Sequence, residues 1–254
     1  MTTGRHHGRE RRERDGDAPS RPAHLRVLTY NIHRGRGADG RVELARIADV
    51  IAAAEADVAA LQEVNVLPGG SQADELAARL GMAVAFAPCL GDGARHGVAT
   101  LSRLPIERET ALAPAETGQL PQLARHAVCA LAVRVAWNQR TVEIVNTHLS
   151  PLSVDRSRQL EALFEAIAAG ADELVVCGGL GGPRSATVRR LRERLDDAGP
   201  VGMTWPAPLP VVRVDHLLYR GELAVEDALI PRDHGARWAS DHLPLLAAFR
   251  PIAS

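Results

Sequence analysis

Short apolar runs that end on polar residues, spaced by amphipathic segments, constrain this chain more than any other feature. LRVLTYNI reads as a strand with a polar end, and VELARIADVIAAAEA follows with Leu44, Ile47, Ala48 and Ile51 at helical spacing. DVAALQEV is a second strand ending in Gln62 and Glu63, SQADELAARLG a helix closed by Gly81, and MAVAFAP another strand. The middle changes rhythm: HGVATLSR, RHAVCALAVRVAW and TVEIVNTHLS are strands with few helical residues between them, and VAWNQRTVEI reads as a hairpin turning at Asn138. VDRSRQLEALFEAIAAG then predicts a helix, ELVVCG a strand, and SATVRRLRERLDDAG a helix. VVRVDHLLY, LAVEDALI and LPLLAAF are the last strands.

Strand and helix alternating at both ends, with antiparallel signals between, predict an α/β (α+β) fold in which two stacked mixed sheets are covered by helices. No Pro- or Gly-rich linker divides residues 23–254, so one domain is expected there. Residues 1–22 set six arginines against four acids with almost no aliphatic side chain, and a disordered tail is expected.

The net charge of -1 offers no global attraction to a polyanion, so a nucleic-acid partner is left without support from charge. There is no lysine, hence no Lys nucleophile and no phosphate-binding Lys. Cys89, Cys129 and Cys177 are few, widely spaced and set among apolar residues, which predicts buried, reduced thiols. With no run of about 18 apolar residues and no signal-peptide pattern, the expectation is a cytoplasmic protein without a membrane span. No oligomeric signal stands out, and a monomer is expected.

Polar residues recur at strand ends: Asn31 after LTY, Glu63 after ALQ, His148 after IVNT, Asp215 in VRVDHLLY, and Asp241 with His242 in WASDHLP. Ligands in layered α/β proteins gather where strands end. Carboxylates with an amide oxygen suit hard cations such as Mg²⁺, and a neighbouring His suits proton transfer or contact with a phosphate oxygen. Each residue alone also has a structural reading; the combination in this order carries the signal.

The segments VLTYNIHRGRGADGRVELARIADVI, DVAALQEV, HGVATLSRLPI, VEIVNTHLS, RVDHLLY and ASDHLPLLAAF together resemble the endonuclease/exonuclease/phosphatase superfamily, metal-dependent phosphoesterases with a deoxyribonuclease-I-like fold. The resemblance implies a four-layer sandwich with the site at one end of the two sheets, and Mg²⁺ or Mn²⁺ as cofactor. It places Asn31, Glu63 and Asp241 at the metal. It makes His148 a contact of the scissile phosphate that could help protonate the leaving group, and has His242, oriented by Asp215, act on the phosphate or the attacking water. The partner implied is a phosphoester substrate of open class: nucleic acid, lipid headgroup or small phosphoester.

One stretch departs from the pattern. Where the superfamily carries GDxN, this chain reads Gly178, Gly179, Leu180 and Gly181, so the motif's Asp and Asn are Gly179 and Gly181. Three readings compete: a backbone cradle for phosphate, a degraded site, and a hydrolase in which another group, such as Asp233 or His234, replaces the Asp. The expectation is impaired phosphoester hydrolysis; the alternative is an inactive member that binds a phosphorylated ligand or partner. Trp205 and Trp238 are expected to be buried packing residues rather than pocket lining.

Overall fold

The computed structural model describes residues 23–89, 95–112, 129–149, 153–168, 171–200 and 202–252; the arginine-rich tail lies outside them. The first half runs β1 (Leu25–Asn31), α1 (Leu44–Ala53), β2 (Val58–Leu67), β3 (Gly70–Ser71), α2 (Gln72–Leu80), β4 (Ala83–Pro88), β5 (His96–Ser102) and β6 (Ile106–Leu112). The second half runs β7 (Cys129–Trp137), β8 (Arg140–His148), α3 (Ser153–Ala168), β9 (Leu174–Gly179), α4 (Ala186–Arg192), β10 (Asp196–Asp197), β11 (Asp215–Arg220), β12 (Leu223–Leu229), α5 (Ala236–Ala239) and β13 (Leu245–Pro251). One sheet has the order β12-β13-β1-β2-β5-β4, with β3 on β2; the other has the order β10-β11-β9-β8-β7-β6. Each sheet holds one parallel pair at its centre, β1 with β2 and β8 with β9, among antiparallel neighbours.

Strand alternation explains the layering. On β1, Leu25 and Val27 enter the core between the sheets, while Leu28 and Tyr30 pack under the helices α1 and α2 with Ile47, Ile51 and Leu76. On β9, Val175 and Cys177 face the other sheet, while Leu174 and Val176 meet Leu160, Leu163 and Phe164 of α3 and Val188 of α4. Helix, sheet, sheet and helix thus make four layers with three apolar cores, as expected from the sequence. Fully buried side chains such as Ile47 and Ile51 each contribute about 1.5–3 kcal/mol of transfer free energy.

Local signals set several boundaries. The Asp74 carboxylate reaches back to the Ser71 N–H at 2.6 Å to open α2, and Gly81, at φ 64, closes it. Asn138 and Gln139, both at positive φ, make the two-residue turn between β7 and β8.

Other boundaries moved. The helix expected over SATVRRLRERLDDAG stops at Arg192, and Asp196–Asp197 pair with β11 instead. Asp197 there meets the buried Arg213 guanidinium at 2.7 Å and accepts from the Gly199 N–H, a tertiary anchor that outweighs helix propensity. The edge strand β6, IERETAL, has largely exposed, charged positions and lacks the apolar alternation that would announce it. Cys89 is disulfide-bonded, correcting the expectation of reduced thiols, while Cys177 is a free, buried thiol. Among the described residues no helix is long and apolar enough to cross a membrane.

Candidate active site

The inner faces of the central strands turn from apolar to polar at one end of the sandwich. On β8, Val142 and Ile144 are core, and the same face continues as Asn146 and His148. On β1 the series Leu25 and Val27 continues as Thr29 and Asn31. Because β8 and β9 are parallel and β11 runs against them, His148 pairs with Gly179, and Gly179 pairs in turn with Asp215. Asn31 pairs with Gln62 across the parallel β1 and β2.

Glu63 depends on an irregularity. The register of β2 on β5 passes from Leu61↔Ala99 to Val64↔Gly97, so Gln62 and Glu63 share the place opposite one residue, a β-bulge. Glu63 adopts φ 54, a left-handed conformation that costs a non-glycine residue about 1–3 kcal/mol and persists only where its surroundings hold it. The bulge turns Glu63 to the same side as Gln62. Its Oε1 accepts from Asn31 Nδ2 at 3.0 Å and lies 3.7 Å from His148 Nε2, while Asn31 Oδ1 accepts from the His33 N–H at 2.9 Å.

On the far side, His242 Nδ1 lies 2.9 Å from Oδ2 of the buried Asp215. Ser240 Oγ donates to the Asn31 carbonyl at 2.7 Å and accepts from the His242 N–H, tying the SDH turn to the end of β1. Asp241 lies between two groups: His33 Nδ1 is 3.5 Å from its Oδ1, and the Trp205 indole N–H donates to its Oδ2 at 3.3 Å. His33 and Arg34 both have positive φ, a left-handed turn that carries the His33 ring towards Asp241.

The electrostatics divide the two histidines. Burial disfavours a charged His242, but the adjoining Asp215 carboxylate outweighs it and pushes its pKa up to about 9. Desolvation of the His148 ring lowers its pKa, with Glu63 only partly compensating. Burial also opposes a charged Glu63, yet His148 and the Asn31 N–H hold its carboxyl below the usual range. Asp215 is likewise held low, against its burial, by His242 and Thr204.

All six residues singled out from sequence sit on elements that converge here: Asn31, Glu63 and His148 in one contact chain, Asp215 with His242 in a second, and Asp241 beside His242. Sequence reasoning passed over His33, Gln62, Asn146 and Ser240 as site residues and gave Trp205 a packing role. The only prior signal for Gln62 and Asn146 was a polar residue on the inner face of an otherwise apolar strand. In the glycine stretch the N–H groups of Leu180 and Gly181 both donate to the Val214 carbonyl, so these two donors are not offered to a phosphate. Asp233 and His234 are exposed in the turn into α5. Trp205 and Trp238 are 40% and 55% exposed, against the expectation of buried packing. Among the described residues no group of three or more His, Cys, Asp or Glu is arranged to hold a metal ion.

A model of the Endonuclease/Exonuclease/phosphatase family matches residues 28–242. Among solved structures, the chain is similar to an endonuclease/exonuclease/phosphatase from Beutenbergia cavernae DSM 12333, with 24% identity, 91% of this chain and 72% of that one covered, and a TM-score of 0.77. It is also similar to the human Nocturnin catalytic domain with bound sulfate anion, at 21% identity, 91% and 95% coverage and a TM-score of 0.71. For D. rerio TDP2 complexed with single strand DNA product the values are 16%, 90% and 100%, and 0.67. At such identities the likeness shows the fold. No curated protein matches the chain significantly.

Proposed function

The chain belongs to the Endonuclease/Exonuclease/phosphatase family, and on that footing we propose that it is a divalent-metal-dependent phosphoesterase whose turnover is weakened by Gly179 and Gly181. The observation that carries this reading is the Glu63 carboxylate, held ionised by Asn31 and facing His148 at the end of the sheets.

The donor set suits Mg²⁺ or Mn²⁺. Such hard cations take one or two carboxylates and keep several waters, whereas a caged softer metal needs the protein cluster that the described residues lack. Glu63, with Asn31 bonded to it, and Asp241 would hold the ion, which when bound neutralises charge on phosphoryl oxygens.

The chain's own groups divide the remaining work. His242, kept protonated at neutral pH by Asp215, donates a proton to a phosphoryl or leaving-group oxygen. His148, held neutral by desolvation, offers its Nε2 side to the phosphate. A protonated His242 cannot also take a proton from the attacking water. The strand position between His148 and Asp215 is where a carboxylate would do so, and it is Gly179. Hydrolysis therefore proceeds without a dedicated base, and the substrate is a phosphoester whose alcohol part is unassigned.

The second reading, an inactive member that binds a phosphorylated ligand, is favoured by the same two glycines. Mn²⁺ titration together with Mn²⁺-dependent hydrolysis of bis-p-nitrophenyl phosphate separates the two. Binding with slow turnover abolished by Glu63→Gln supports the hydrolase; binding without turnover supports the second reading; no Mn²⁺ binding at millimolar concentration sinks the metal site itself.

A further inference from the structure

We propose that Asn146 is a positioning residue that holds the Glu63 bulge from the opposite sheet. Asn146 is fully buried and touches no reacting group. Its Nδ2 donates to the carbonyls of Leu61 and Ala99, at 3.0 and 2.9 Å. Those residues are the last pair of β2 on β5 before the register breaks. Its Oδ1 accepts from Gln62 Nε2 at 2.8 Å, and that amide also reaches Thr29 Oγ1 on β1. One side chain of β8 thus binds β5, the residue before the bulge and the first residue within it.

The left-handed Glu63 needs such a restraint, since strained backbone relaxes unless neighbours over-determine it. Asn146 also lies two places before His148 on the same strand face, so one rigid strand delivers both His148 and the clamp that presents Glu63 to it. The inter-sheet bonds therefore set the spacing of the Glu63–His148 pair. The functional consequence rests on the metal-dependent reading above, whereas the clamp itself does not.

The test compares Asn146→Ala with Val142→Ala, a fully buried core position earlier on the same face of β8. Amide exchange over residues 58–66 should accelerate by about tenfold or more in Asn146→Ala and stay near wild type in Val142→Ala, both measured under conditions where each remains folded. Mn²⁺ affinity should fall about 10–100-fold in Asn146→Ala only, the usual effect of losing a residue that orients a ligand, with kcat falling and KM for bis-p-nitrophenyl phosphate little changed. If Asn146→Ala does not fold, Asn146→Ser, which keeps one hydroxyl donor, should show the same pattern at smaller amplitude. Exchange over 58–66 no faster than in Val142→Ala overturns the clamp, and unchanged Mn²⁺ affinity overturns its role at the site. If wild type binds no Mn²⁺, the proposed function fails and the exchange comparison alone decides the clamp.

Discussion

Gly179→Asp should raise Mn²⁺-dependent hydrolysis of bis-p-nitrophenyl phosphate by about 10²- to 10⁴-fold, the contribution of a positioned general base. The backbone at Gly179 is not left-handed, and a Cβ there would meet only the His148 ring, 3.1 Å from Nδ1 and 3.4 Å from Cε1. That ring must give by a few tenths of an ångström, and it is partly exposed. The new carboxylate would stand between His148 and Asp215, which should destabilise the metal-free protein by about 1–3 kcal/mol as a poorly paired buried charge. Mn²⁺ should recover part of that loss in a urea melt. Adding Gly181→Asn should not help further: residue 181 has φ 92, and a side chain there costs about 1–3 kcal/mol of strain. Neighbouring Gly178 tolerates no side chain, since a Cβ would lie 1.8 Å from the Thr147 carbonyl oxygen, so Gly178→Ala should fail to fold. A folded, Mn²⁺-binding Gly179→Asp no faster than wild type would refute the assignment of the missing base to this position.

Glu63→Gln should weaken Mn²⁺ binding at least about tenfold by electron paramagnetic resonance, with the unfolding midpoint little changed. The rise of the His242 pKa from 6.5 to about 9 corresponds to about 3 kcal/mol of stability. Because the folded-state value is the higher one, that contribution is complete below about pH 6.5 and disappears as pH climbs through about 9; urea melts from about pH 6 to about pH 10 should show the decline, and Asp215→Asn should remove it. Asp215→Asn should itself cost up to about 3–5 kcal/mol by leaving the largely buried His242 without its partner, measured by the same melts at neutral pH. Ile51→Ala in the helix-facing core should cost about 2–5 kcal/mol, and a loss below 1 kcal/mol would contradict the packing described for α1.

The fold was legible where one rule governs a segment. Polar strand ends marked Asn31 and His148, which lie on the inner face with Val27 and Ile144, and helical spacing marked Ile47 and Ile51, which lie on the buried side of α1. Glu63 shows where that rule stops. Strict alternation after Ala60 and Gln62 turns Glu63 to the outer face, and no glycine in LQEV announces the bulge that brings it back. His33 was present in the YNIH segment, but its approach to Asp241 depends on two successive left-handed residues that propensity disfavours. α4 ended early because of Arg213, a partner remote in sequence from Asp197. The bulge under Glu63, the turn at His33 and the early end of α4 are all backbone departures that no local preference announces, and the first two lie at the candidate site.

The place of β1 has a consequence for how the protein is made. Its two edges are taken by β2, which follows soon after it, and by β13, formed from Leu245–Pro251. During synthesis one edge of this strand stays open until those residues emerge, and an open edge is a template for pairing with another chain. Asn31 lies at the end of that strand, and Asp241 and His242 lie just before the one that closes it. The nascent chain therefore brings its candidate-site residues together and closes that edge in the same late event.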